Sequence, residues 1–170
     1  MIQALAPMDG ITDIVYRTIV TRIFNKYNKD SQTRLRTRTE FMNADGYMIQ
    51  PAKLIKHLMH HEQEQTLIAQ IYGWNKDTLV KTAIDIEKKY PNFYGIELNI
   101  GCPSPKVMAC WWWSWMMKDK KYCIEVIKEI NKSIQKPFSI KVRTGLNRED
   151  KKEWFATLVQ CIPYVHCISV

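Results

Sequence analysis

Short runs rich in β-branched and aromatic residues alternate with longer runs of helical period along this chain, and that alternation restricts its fold more than any other feature. The short runs are IQALAPM from Ile2, TRTEFM from Thr37, QTLIAQIYG from Gln65, YGIELNIGCP from Tyr94, FSIKVRTG from Phe138 and VHCISV from Val165. Between them lie TDIVYRTIVTRIFNKY, with Thr12 or Asp13 as its cap, a segment around YMIQPAKLIKHLMHH, and KDTLVKTAIDIEKKY, capped by Asn75. KDKKYCIEVIKEINKSI and REDKKEWFATLVQCI complete the set. Leu79, Ala83, Ile86 and Tyr90 recur at helical spacing, as do Cys123, Ile127, Ile130 and Ile134. Each strand-like run ends in polar or turn residues: Met8-Asp9-Gly10, Glu40, Gln70, Asn99 through Cys102, and Lys141 through Thr144.

Six such βα alternations predict an α/β protein with a parallel sheet. In a (β/α)8 TIM barrel the strand ends converge on one face, where a site is built. In a doubly wound sheet they line a crevice. No glycine-rich dinucleotide loop follows the first run, which favours the barrel. A closed barrel needs eight strands, in typically about 250 residues. A chain of 170 residues with six alternations therefore reads as an incomplete barrel, the N-terminal part (residues 1–170) of a TIM-barrel catalytic domain.

Hydrophobic residues make up 46% of the sequence, enough for a packed core. No apolar run approaches the roughly 20 residues of a membrane span, and the N-terminus lacks the basic and apolar regions of a signal peptide. The expected compartment is the cytoplasm, with no membrane partner. The excess of 25 Lys and Arg over 17 Asp and Glu suits a polyanionic partner, although the basic residues are spread along the chain. Five cysteines with no CxxC spacing fit reduced thiols. His60-His61 is read as a surface pair, and no metal site is expected.

Five pieces of sequence occur in a telling order between residues 4 and 146: APMDGITD followed by YR, then TEFM, QIYG, ELNIGCPSPKV and IKVRTG. Together they resemble the dihydrouridine synthase family, flavoenzymes that reduce specific uridines in tRNA. The resemblance implies a TIM barrel, FMN as cofactor, NADPH as the reductant and tRNA as the partner. It also implies phosphate-binding loops and a helical tRNA-binding domain beyond Val170, where the family's histidine-glycine-arginine-threonine stretch would fall. Trp111, Trp112, Trp113 and Trp115 stand where the family has small residues, mostly glycine. The chain has 6 Gly in 170 residues, about half the roughly 7% that is usual. The tryptophans read either as a platform for stacking RNA bases or as an alteration of a glycine loop, the latter preferred. Such a chain by itself is expected to bind FMN poorly and to be poorly active.

By this resemblance Cys102 is the acid that protonates uracil C5. An ordinary thiol, with a pKa of about 8.5, is protonated at neutral pH as a donor must be. Asn99, whose amide can donate and accept, matches the edge of uracil. Arg143 is a contact for the base or a nearby phosphate, on the strand face of Lys141 by the period of two. Lys141 resembles the family lysine at the flavin N1–C2 carbonyl region, and Gln70 the amide that contacts the ring. Pro7 and Met8 supply backbone and apolar contact beneath that ring. Glu40 orients either Lys141 or a loop, and His166 is structural. Two other readings stand: another FMN-dependent TIM-barrel oxidoreductase acting on a small pyrimidine, like dihydroorotate dehydrogenase, and a non-catalytic RNA-binding fragment. The basic charge and the NIGCPSPK context favour the first reading.

Overall fold

The structure, a computed structural model, describes residues 1–101, 113–145 and 149–170, with the side chains of 113–115 outside that description. Strands β1 (Ile2–Ala4), β2 (Arg34–Arg38), β3 (Met42–Asn43), β4 (Leu67–Tyr72), β5 (Gly95–Asn99), β6 (Phe138–Lys141) and β7 (Cys167–Ser169) form one sheet. Its order is β1-β2-β4-β5-β6-β7, with β3 also beside β4, and every pairing is parallel. Parallel neighbours need crossovers. The helices that make them are α1 (Ile14–Tyr27), α2 (Ala44–Ile49), α3 (Pro51–Leu54), α4 (Lys76–Lys89), α5 (Trp113–Lys118), α6 (Lys120–Ser133) and α7 (Lys151–Cys161). This is the predicted TIM-barrel alternation, carried through six strand positions.

Local chemistry sets the element ends. Asp13, not Thr12, caps α1: its Oδ1 accepts from the Tyr16 amide at 2.8 Å. Thr12 instead closes the turn before it, accepting from the Met8 amide and donating to the Met8 carbonyl. Asn75 caps α4 as expected, accepting from the amides of Asp77 and Thr78. The run TRTEFM does not form one strand. β2 ends at Arg38, because the Thr39 hydroxyl takes the Gln70 amide and donates to the Glu40 carbonyl, replacing ladder bonds with side-chain ones. Pro51 ends α2 and opens α3 at its first turn.

Register divides the sheet into two unlike faces. Leu67, Ala69 and Ile71 of β4, Ile96 and Leu98 of β5, and Phe138 and Ile140 of β6 share one face. Leu79, Ala83 and Ile86 of α4, Val126, Ile127 and Ile130 of α6, and Trp154 and Leu158 of α7 cover it as one buried core. Each such side chain contributes about 1.5–3 kcal/mol by burial. The other face carries Arg38, Gln70, Glu97, Asn99, Ser139, Lys141 and Ser169.

That polar face is concave. Arg38 on β2 donates from Nη2 to Ser169 Oγ on β7 at 2.9 Å. In a flat sheet, the four strand steps between them would span about 19 Å at some 4.8 Å each, beyond the reach of the two side chains. The sheet must therefore curl around its polar face, as a barrel does.

Helix α1 is held by a buried charge more than by apolar packing. Ile11, Val15, Ile19, Ile23 and Tyr27, spaced four residues apart, are all exposed. Arg17, buried beneath them, donates to Glu64 at 2.8 Å, to the Thr12 carbonyl at 2.8 Å and to the Met59 carbonyl at 2.7 Å. Glu64 also accepts from the His61 amide at 3.0 Å. Removing one partner of a buried pair strands the other, so Glu64→Gln is expected to cost about 3–5 kcal/mol. Urea unfolding measures the loss, and hydrogen exchange should rise first in α1. Arg17→Met combined with Glu64→Leu should recover most of it, and an unchanged midpoint in Glu64→Gln would show that the pair does not anchor the helix.

Candidate active site

The concave face holds one continuous hydrogen-bonded chain. Arg38 Nε donates to both Glu97 oxygens at 2.9 Å. Gln70 Nε2 donates to Glu97 Oε1 at 2.7 Å, and Asn99 Nδ2 donates to Gln70 Oε1 at 3.0 Å. Asn99 Oδ1 then accepts from the Gly101 amide at 3.0 Å. Ser139 Oγ lies 3.4 Å from Glu97 Oε2. Glu97 and Gln70 are fully buried, and Arg38 and Asn99 nearly so. Burying charge and amides together is tolerable only because each polar group has a partner.

Sequence-predicted residues meet here. Gln70 lies within β4 rather than at its end, and it touches Asn99 directly. Lys141 is the Cα partner of Asn99 on the neighbouring strand and is half-buried. Among the described residues its ammonium makes no hydrogen bond or ion pair. Asn99 does not offer a symmetrical donor–acceptor edge: Gly101 holds its oxygen and Gln70 one of its hydrogens. Cys102 follows directly on Gly101 but lies outside the described residues, as do Cys110, Trp111 and Trp112.

Arg143 is placed differently from its expected strand face, since β6 ends at Lys141. Its carbonyl accepts from Trp154 Nε1 at 2.7 Å, and it borders an apolar cleft of about 670 Å³ with Trp154, Phe155 and Ile168. Its backbone also presses on Gly101. A β-carbon at 101 would stand 2.7 Å from Arg143 N and Val142 C, so glycine is required there by close approach.

Pro7 and Met8 follow β1 and are half-buried. Glu40 orients their loop, not Lys141: its Oε1 accepts from the amide of Gly10, whose φ is +72°. Its Oε2 faces His57 Nδ1 at 3.6 Å. Burial lowers the His57 pKa, with Glu40 acting in the opposite direction. His60 meets Asn92 and the edge of Phe93 at the surface. The amide of His166 donates to the Phe138 carbonyl, a sheet contact that fits its structural reading. Cys123 and Cys161 are buried free thiols; burial raises both pKa values, that of Cys161 to about 11, which makes them inert.

Residues 113–118 form helix α5, so Trp113 and Trp115 start a helix rather than line a loop. Among the described residues only Gly10 and Gly145 have positive φ, and these two tryptophan positions need no left-handed backbone. The residues that sequence reasoning missed are Arg38 and Glu97. Their signal was a charged residue of each sign at the polar parity of two otherwise strand-like runs, where a solvated face is the simpler reading.

The description Dihydrouridine synthase (Dus) belongs to a family model that matches residues 4–162. A probable tRNA-dihydrouridine synthase of Helicobacter pylori (strain J99 / ATCC 700824) is 31% identical over 150 residues, 88% of this chain and 43% of that protein. The tRNA-dihydrouridine synthase B of Pasteurella multocida (strain Pm70) is 29% identical over 151 residues, 86% of this chain and 41% of that protein. A probable tRNA-dihydrouridine synthase 2 of Bacillus subtilis (strain 168) is 28% identical over 164 residues, 92% of this chain and 46% of that protein. The chain thus spans less than half the length of these curated relatives. No described helix is long and apolar enough to cross a membrane. With its family motifs at the ends of parallel strands and a match reaching from residue 4 to residue 162, the chain belongs to the dihydrouridine synthase family.

Proposed function

We propose that the chain is the N-terminal part of the catalytic domain of an FMN-dependent tRNA-dihydrouridine synthase. The reaction is reduction of the C5–C6 double bond of a uridine in tRNA, in the cytoplasm, with NADPH as the reductant. A helical tRNA-binding domain would belong to the remaining length that the relatives have and this chain does not. The observation that carries the reading is the cluster of Gln70, Asn99 and Lys141 on adjacent strands of the concave face. The formal charge of +8 supports a nucleic-acid substrate.

These residues fit a flavin: two neutral amides, each with an N–H that has no acceptor among the described residues, stand beside a lysine with no described polar partner. Gln70 and Lys141 would hold the ring, with Pro7 and Met8 beneath it. The chemistry drawn from a bound, reduced flavin is donation of a hydride to uracil C6. Lys141 would set its ammonium against the negative charge that a reduced flavin carries. Asn99 would give its remaining N–H to a uracil carbonyl, and Arg143, two residues past the end of the Lys141 strand, would contact the base or its phosphate. Cys102 would transfer its thiol proton to C5.

Three outcomes test this in a barrel completed with the C-terminal part of one of the relatives. Cys102→Ala should retain flavin and lose at least about 100-fold in dihydrouridine formation, the lower end of what a positioned acid contributes; near-parental turnover removes Cys102 from that role. Lys141→Ala and Gln70→Ala should each weaken FMN binding about tenfold, the loss of one charge-assisted or well-placed hydrogen bond, read by flavin fluorescence. Full yellow occupancy in both variants shows that the pocket is assigned wrongly. Glycine at 111, 112, 113 and 115 together tests the reading of the tryptophans as an altered glycine loop and should raise flavin content and activity; higher activity with the tryptophans retained would instead support a base-stacking platform.

A further inference from the structure

We propose that Glu97, held in place by Arg38, is a positioning residue that fixes the direction of the Gln70 amide and, together with the donating Gly101 amide at the other end, of the Asn99 amide, and so fixes which amide hydrogens face a ligand. An ionised carboxylate such as Glu97 only accepts. Its Oε1 therefore receives a hydrogen from Gln70 Nε2, and the Gln70 amide cannot turn over. Gln70 Oε1 must then accept, and it does so from Asn99 Nδ2. That bond fixes the second amide, whose Oδ1 accepts from the Gly101 amide.

The series is pinned at both ends: the Glu97 carboxylate only accepts, the Gly101 backbone amide only donates, and the two amides between them are oriented to agree with both. Arg38 supports the root: its Nε donates to both Glu97 oxygens, and the pair is buried. The result at the ligand side is specific. Gln70 Nε2 and Asn99 Nδ2 each have one hydrogen spent within the series and one with no acceptor among the described residues. The site is biased toward a ligand edge that presents acceptors, such as carbonyl oxygens, and against one that presents donors. The same series ends on Gly101, the residue before Cys102, so it also holds the backbone from which that side chain departs.

Glu97→Gln keeps the shape but lets the root donate. The introduced amide could then give a hydrogen to Gln70 Oε1, which sets the Gln70 end of the series against the donating Gly101 amide and weakens the bond from Gly101 to Asn99. This ligand-side consequence rests on the flavin and uracil reading of the site; the direction of the series does not. The experiment uses the 170-residue chain, labelled with nitrogen-15. It follows the side-chain amides of Gln70 and Asn99 and the exchange of the Gly101 amide against that of Ile96, which is bonded to the Pro137 carbonyl.

Glu97→Gln should speed Gly101 exchange about fivefold relative to Ile96, as for the loss of one neutral hydrogen bond, and should shift both side-chain amide signals. Gln70→Leu leaves the ion pair intact and cuts the series in its middle, so it should give the same selective loss; it carries the test if Glu97→Gln does not fold. Gly101 protection that stays parental in Gln70→Leu, or that falls only in step with Ile96, overturns the proposal and makes Glu97 a structural charge alone. FMN is then added at millimolar concentration to the barrel completed with the C-terminal part of one of the relatives. Shifts confined to the Gln70 and Asn99 amides support the ligand side, while a selective Gly101 loss in the variants with no response of the completed barrel to FMN supports the relay and overturns the flavin reading.

Discussion

The buried contact between Arg38 and Glu97 is the constraint on which the concave face depends. A guanidinium on β2 reaches a carboxylate on β5 and a hydroxyl on β7, and it can do so only if the sheet curls. Desolvating two charges is expensive, and their mutual attraction offsets that cost only when the remaining donors and acceptors are also satisfied. Here they are: Gln70 and Ser139 take further positions on the carboxylate. Hydrophobic burial on the opposite face supplies the stability of the sheet, while this pair spans the curl and lies on the polar face inside it.

Curvature and site are thus one problem solved by the same side chains. A barrel interior made of aliphatic layers would pack as well but would offer a ligand nothing to bond. By placing a carboxylate at the root of two amides, the fold gains donors whose orientation does not depend on the ligand. Preorganised dipoles of this kind act without reorganisation when a substrate arrives. Gly101 contributes by having no side chain: it lets β6 and the segment after it close against the end of β5, which brings Lys141 level with Asn99.

The mouth has its own supports. Glu40 leaves the sheet to grip the Gly10 amide, and Thr12 closes the turn at Met8, so the segment after β1 is tied at two points. Arg17 performs the same service for α1 from below, with three acceptors drawn from separate parts of the chain. An arginine suits that task because its rigid fork can reach all three at once. These contacts use charged side chains where apolar ones are the commoner choice, and they explain why α1 stays attached while Val15, Ile19 and Ile23 face outward.

Period and motif alone determined the parallel βα order, the cap at Asn75 and the buried stripe of α6, while Gln70, Asn99 and Lys141 were singled out by the family resemblance. The first three follow from local rules: side chains alternate along a strand, recur every three or four residues on a helix, and fall at strand ends where chains turn. What only the tertiary structure decided is the partnering across strands that are distant in sequence. Arg38 and Glu97 are 59 residues apart, and nothing local tells a charge on the inside of a curl from one in solvent. Glu40 could as well have reached Lys141 as Gly10, and the close approach at Gly101 exists only because β6 packs beside β5. Long-range contacts depend on how far the sheet bends, and that bend is set by the sum of all strand pairings rather than by any one segment of the chain.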